Sequence, residues 1–173
     1  MKKYEFTEET KNIYTMDKEI TLHRIRALQS FDEVKTGDLG GWIEDERNLS
    51  HNGNCWVFDN GWVFDNGRVS GIGRVSGNGR VSGNGWVFGN GWVSDNGDIT
   101  KPEHLLSIVP IGSRGDCTTF YRSKDNQIWV TCGCFCGALD KFVRKVEKTH
   151  GNNKHGSAYK IAIELAKAQI DLT

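Results

Sequence analysis

A branched aliphatic residue returns at every sixth position through the middle of the chain: Val57, Val63, Val69, Val75, Val81, Val87, Val93 and Ile99. Each Val is the second residue of a nearly identical hexad, from Trp56-Val-Phe-Asp-Asn-Gly through Arg74-Val-Ser-Gly-Asn-Gly to Trp92-Val-Ser-Asp-Asn-Gly. The phase extends upstream through Ile43 and Leu49, then slips by two residues at His51-Asn52. A period of six suits neither a helix of ~3.6 residues per turn nor a plain hairpin series. It predicts very short strands separated by tight corners, three strands to a coil. Residues 18 apart then stack into three inward columns: Val57, Val75, Val93; Val63, Val81, Ile99; and Val69, Val87. An antiparallel meander turning at each Asn-Gly would need strands too short to make a sheet. Asn at 54, 60, 66, 78, 84, 90 and 96 is expected to hold the left-handed backbone that a corner needs.

The same stacking sorts the outward positions. Trp56, Arg74 and Trp92 share a column, as do Trp62, Arg80 and Asp98, and as do Arg68 and Trp86. Strands ~4.8 Å apart would bring each guanidinium against an indole face, worth about 0.5–1 kcal/mol per exposed pair. Trp56, Phe58, Trp62, Phe64, Arg68, Arg74, Arg80, Trp86, Phe88 and Trp92 therefore form the expected partner-binding surface. Packing against the flanking segments or against a second copy is the plainer use of such aromatics. A stacking platform for a nucleotide base is the sharper one.

The flanks break the period. Tyr4–Thr7, Asn12–Tyr14 and the alternating Ile20–Leu28 read as strands, giving an N-terminal β cap over residues 1–42 ahead of the repeat at 43–100. Lys101-Pro102 ends the repeat. Residues 101–173 read as three strands, near 104–111, 118–122 and 127–132, then two helices. Leu139, Phe142, Val143 and Val146 supply the apolar stripe of the first helix, and Tyr159, Ala162, Ile163, Ala166 and Ile170 that of the second. The fold class expected is mainly β, a short β-helix of about three coils with a β cap and a C-terminal β-β-β-α-α module.

Charge and composition add exclusions. With 22 basic and 22 acidic side chains in 173 residues the formal charge is zero, which argues against a binder working by wholesale counterion release. Twenty-one glycines against two prolines mean sharply turning but ordered backbone. No apolar run approaches the ~18 residues of a membrane span, and Met1-Lys2-Lys3 does not lead into a signal-peptide core, so a non-membrane protein of the cytoplasm is expected.

Candidate chemistry is sparse. If extended, Cys132-Gly-Cys134-Phe-Cys136 would place three thiols on one face, with His150 or His155 to complete a zinc site. The spacing is not that of a zinc knuckle, so buried structural thiols are the better reading and no cofactor is expected. Arg114 in Gly112-Ser-Arg-Gly could hold an anion, although a hairpin turn explains it as well. His51 lies at the irregular first coil and His104 just past the last.

The pattern aliphatic-x-x-Asn-small-x resembles the hexapeptide repeat of left-handed β-helix proteins, and left-handedness is implied by that resemblance. Three stretches extend the likeness over nearly the full length: Thr21–Leu28 with Gly37–Glu44, Asn48–Val57 with its hexads, and Ile99-Thr-Lys-Pro with Cys132-Gly-Cys-Phe135. Together they resemble small hexapeptide-repeat proteins of bacteriophages and prophages, in which the small corner residue is usually Ala, where this chain has Gly. That resemblance implies a non-enzymatic accessory protein in the host cytoplasm. It would bind a host protein or nucleoprotein complex, inhibit a defence system such as a CRISPR nuclease, and self-associate as a dimer or trimer. The alternatives are a nucleotide- or nucleic-acid-binding protein and a hexapeptide-repeat acyltransferase, a class that uses a histidine base near a cleft between subunits.

Overall fold

The hexads wind into a triangular parallel β-solenoid of about three coils, consistent with the short left-handed β-helix expected. It is seen in a computed structural model describing all 173 residues. An N-terminal hairpin, β1 (Tyr4–Tyr14) and β2 (Glu19–Ala27), leads to β3 (Leu39–Ile43). Eight two-residue strands follow: β4 (Trp56–Val57), β5 (Trp62–Val63), β6 (Arg68–Val69), β7 (Arg74–Val75), β8 (Arg80–Val81), β9 (Trp86–Val87), β10 (Trp92–Val93) and β11 (Asp98–Ile99). Pairing follows the arithmetic of the repeat. Val75 lies between Val57 and Val93; Val81 lies between Val63 and Ile99, with Ile43 beneath; Val69 pairs with Val87, with Leu49 beneath.

All of these inward side chains are at most 1% exposed. Burying each is worth about 1.5–3 kcal/mol, which offsets the ordering cost of a glycine-rich chain. The corners differ from expectation in one respect. Left-handed backbone falls on Asp59, Asp65, Asp95 and the equivalent Gly71, Gly77, Gly83 and Gly89, one residue before the Asn positions. The corner closes by a turn bond such as Gly61 N–H to Phe58 O (2.9 Å), and the residue just after the acceptor takes the positive φ. The Gly after each Asn has a separate cause. A Cβ on Gly85 would sit 2.3 Å from the Ile99 carbonyl oxygen of the next coil.

Both ends of the solenoid are closed by side chains. Backbone groups of even-numbered residues in the last coil have no following coil to pair with. Trp92 N–H donates to Thr119 Oγ1, and Trp92 O accepts from Thr131 Oγ1. Ser94 O accepts from the Tyr121 hydroxyl, Asn96 O from Lys124 N–H and Asp98 O from Arg122 Nη1, while Thr100 N–H donates to His104 Nδ1. At the other end Lys3, 1% exposed, donates its ammonium to Gly53 O (3.2 Å) and Cys55 O (2.7 Å). Desolvation holds that amine below its usual pKa.

The C-terminal segment is an antiparallel sheet of four strands rather than three: β12 (Leu105–Ile111), β13 (Asp116–Arg122), β14 (Ile128–Cys132) and β15 (Phe135–Ala138). Gly133-Cys134 is a two-residue hairpin turn, so the cysteine run folds back on itself instead of extending. Helices α1 (Leu139–His150) and α2 (Lys154–Gln169) follow, with Asn153 capping the start of α2. Phe120, Val130, Phe142, Val146, Tyr159, Ile163 and Ala166 form a second core between this sheet and its helices.

Candidate functional site

Three faces of the prism have different fates. The face of β3, β5, β8 and β11 continues into the hairpin β1–β2 as one six-stranded sheet. The face of β4, β7 and β10 adjoins the C-terminal sheet, through Thr119 and Thr131 on Trp92. The face of β6 and β9 joins no further strand apart from the bridge at Leu49. There Trp86 is 46% and Phe88 51% exposed, their rings 5.0 Å apart, and Ile72 is 45% exposed.

The expected partner-binding residues therefore separate. Trp56 (1% exposed) and Phe64 (8%) lie inside, packed by the N-terminal cap, and offer nothing to a partner. Arg80 lies 4.4 Å and Lys11 5.1 Å from the Trp62 ring, so cations already occupy that indole. Trp92 donates its indole N–H to Ser76 Oγ, and Arg74 lies 5.9 Å from its ring. Arg74 also approaches the half-buried Phe58 and pairs with Asp32 and Glu33. Only Arg68, Trp86 and Phe88 of that set remain open.

Beside them is a cleft of about 420 Å³ lined by Glu46, Arg47, His51, Arg68, Ser70 and Trp86. A single 3-10 turn, Glu46–Asn48, occupies the chain where the hexad phase slips. Asn48, fully buried, fixes that turn: its carbonyl accepts from Asp45 N–H and its amide donates to Asp65 O and Gly67 O. Lys2 bonds Glu46 at 2.6 Å and holds its carboxyl below the usual carboxylate range. His51 stacks on Tyr4 with centroids 4.3 Å apart and places Nε2 3.8 Å from Glu46 Oε2. Its Nδ1 accepts from Lys3 N–H (3.1 Å), so the neutral ring carries its proton on Nε2 and is a donor there, not a base. Trp86 is oriented by its indole N–H on Ser70 Oγ (2.9 Å). Neither Arg47 nor Arg68 has a side-chain hydrogen bond or ion pair. Glu46, Arg47 and Ser70 went unmarked in the sequence. The break in period at His51 was the one signal that the chain leaves the coil there.

The other histidine at a solenoid end takes the same tautomer. His104 Nδ1 accepts from Thr100 N–H (3.1 Å), and burial, with the charges of Arg122 and Lys101, lowers its pKa. In the C-terminal module a pocket of about 190 Å³ gathers Arg114, Cys132, Cys134, Lys145, His150 and Tyr159. Cys136 is not among them. It points to the other side of the sheet, toward Asp95 (3.4 Å) and Tyr121 (3.7 Å). The hairpin at Gly133-Cys134 thus divides the three thiols that a zinc site would have needed together. Arg114 pairs with Asp116 at 3.1 Å.

No protein-family profile matches the chain. Sixty-three residues, 34% of the chain, are 40% identical to a protein of Escherichia coli (strain K12) named "Uncharacterized acetyltransferase YdcK". The chain spans 19% of that protein's length. The similarity overturns the expectation of a non-enzymatic phage accessory protein acting against host defence. It points toward an enzyme, in line with the acyltransferase alternative. The hexapeptide-repeat reading stands, whereas a phage origin finds no support. No helix is long and apolar enough to cross a membrane.

Proposed function

We propose that this chain is an acyl-transfer protein on a hexapeptide-repeat scaffold, moving an acetyl group from a thioester donor to an amine or hydroxyl acceptor. The observation that carries the reading is the 40% identity over 63 residues to a protein named an acetyltransferase. The cleft of Glu46, Arg47, His51, Arg68, Ser70 and Trp86 is the site we assign to it. Arg47 and Arg68, without partners in the fold, pair with the phosphates of a carrier such as coenzyme A, each charge-assisted contact contributing about 1.5–3 kcal/mol. The exposed Trp86 indole stacks the carrier's purine.

His51, stacked on Tyr4 with its Nε2 buried, shapes the wall of this cleft and does not itself contact the thioester. With an unprotonated amine as acceptor, a C–N bond forms, the C–S bond breaks, and the proton lost by nitrogen ends on the departing sulfur. A second copy seated on Ile72, Trp86 and Phe88 closes the cleft and excludes water.

The test is release of free thiol from acetyl-coenzyme A over a panel of amines and alcohols, with donor binding followed by calorimetry. Turnover should require an acceptor, and Arg68→Gln should weaken donor binding by roughly tenfold or more. Absence of both donor binding and thiol release would overturn the reading.

A further inference from the structure

On the opposite side of the prism, the corner that stacks Asn60, Asn78 and Asn96 forms the floor of a separate cleft of about 560 Å³. Two flanking segments wall it: the β1 strand contributes Lys11, and the turn between β13 and β14 contributes Lys124. Arg80 and Trp62 rise from the coil between them, and Asp95 is the one acidic residue in the lining. Three cations against one carboxylate leave the lining with two uncompensated positive charges in a chain whose net charge is zero.

Nearby acids do not make up the difference. Asp98 is paired with Arg122 at 2.8 Å, and Asp125 accepts from the Asn96 amide at 2.5 Å. The Asp95 carboxylate accepts from the Cys136 thiol. The side chains of Arg80 and Lys11 make no hydrogen bond or ion pair. They are held in place by indoles, Arg80 at 4.4 Å from the Trp62 ring and Lys11 at 4.4 Å from that of Trp42. Lys124 donates to Asn78 O at 2.7 Å. Burial, followed by the charge of Arg80, lowers the Lys124 pKa, with Asp98 and Asp125 acting in the opposite direction. The side-chain amides of Asn60 and Asn78 also lack partners in the fold.

We propose that Lys11, Arg80 and Lys124 form a binding site for a dianionic oxyanion, a phosphate or pyrophosphate group carried by a small molecule. The guanidinium of Arg80 supplies a planar two-point contact, the two ammonium groups neutralise the second charge, and the Asn60 and Asn78 amides donate to the remaining oxygens. Indole packing of Arg80 and Lys11 and the bond from Lys124 to Asn78 O fix the cations before the ligand arrives, so little side-chain freedom is lost on binding. The cleft is larger than one phosphate needs, which favours pyrophosphate over orthophosphate. This site is independent of the acyl-transfer cleft.

The experiment is calorimetric titration with inorganic phosphate and with pyrophosphate at constant ionic strength, alongside the side-chain amide resonances of Asn60 and Asn78. Saturable binding is expected, tighter for pyrophosphate, with both amide pairs shifting. Lys11→Gln with Lys124→Gln should weaken it about tenfold or more at unchanged thermal stability. Arg80→Lys, which keeps the charge but loses the planar fork, should weaken it less than that pair does. No saturable binding would overturn the proposal, as would affinity indifferent to these variants. Binding abolished by Arg47→Gln with Arg68→Gln instead would also overturn it while leaving the acyl-transfer reading standing.

Discussion

Alanine placed at three glycines of the solenoid separates crowding from backbone strain. At Gly85 the added Cβ would lie 2.3 Å from the Ile99 carbonyl oxygen and 2.8 Å from its carbon, both backbone atoms of the next coil. Ordinary contact begins near 3.4 Å, so the two coils must part by roughly an ångström. Overpacking of that kind costs about 1–3 kcal/mol, and the stiffer unfolded chain returns about 0.4–1, leaving a net loss of about 1–2 kcal/mol. For a chain of this size the melting temperature should fall by about 2–8 °C.

At Gly79 the closest atoms are 3.1, 3.3 and 3.4 Å away, a fit needing only small adjustment, so Gly79→Ala should fall within about 0.5 kcal/mol of the parent. Gly89 has open space but a φ of +56°, so only left-handed strain applies, a net loss of about 0.5–1 kcal/mol. Urea unfolding followed by circular dichroism should rank the variants Gly85, then Gly89, then Gly79 in damage. Equal loss at Gly79 and Gly85 would refute the reasoning, because both share the same hexad position and differ only in the approach of the next coil.

Removing the buried amide in Asn48→Ala strips three hydrogen bonds from the 3-10 turn and orphans the carbonyls of Asp65 and Gly67, so stability should drop by about 2–3 kcal/mol in denaturant titration, and a loss under about 0.5 would contradict the assignment. Alkaline pH is the other lever. Burial raises the pKa values of Tyr4 and Tyr121 above the usual 10 and pushes Tyr159 up to about 12. Their contribution is intact below pH 10 and is lost as the unfolded chain ionises above it. Lys3, with its pKa lowered, works in the opposite sense but below its ordinary 10.5, so calorimetry should show a decline in melting temperature above that pH that Tyr4→Phe makes shallower.

The inward columns were legible because one small branched side chain at a fixed interval has only one use in a prism of this width. The pairing of Trp62 with Arg80 was legible for the same reason, since strand register follows from the interval. The left-handed corner residue was misplaced by one. Asn tolerates that conformation better than most residues, but the turn bond from Gly61 to Phe58 assigns it to Asp59. The fate of outward aromatics was not legible. Trp56 and Trp86 occupy equivalent hexad positions, and one is buried only because Tyr4 and Phe31, far away in sequence, pack against it. Neither cleft was legible, because Lys11 on β1, Arg47 in the 3-10 turn and Lys124 in the turn between β13 and β14 meet the coil from flanks whose docking no local pattern specifies. The fourth C-terminal strand was hidden by reading the cysteine run as continuous, when Gly133 reverses it.

A stack of identical rungs has no intrinsic reason to stop, since each rung offers the next the same row of amides and carbonyls. In this molecule the terminal row is consumed by Thr119, Tyr121, Arg122, Lys124 and Thr131, and the opposite row meets the ammonium of Lys3. Chain length is thereby decoupled from fibre growth. Severing the polypeptide after Thr100 would expose that one row while Lys3 still closes the other, so truncated copies would be expected to pair through the bared end and grow no further.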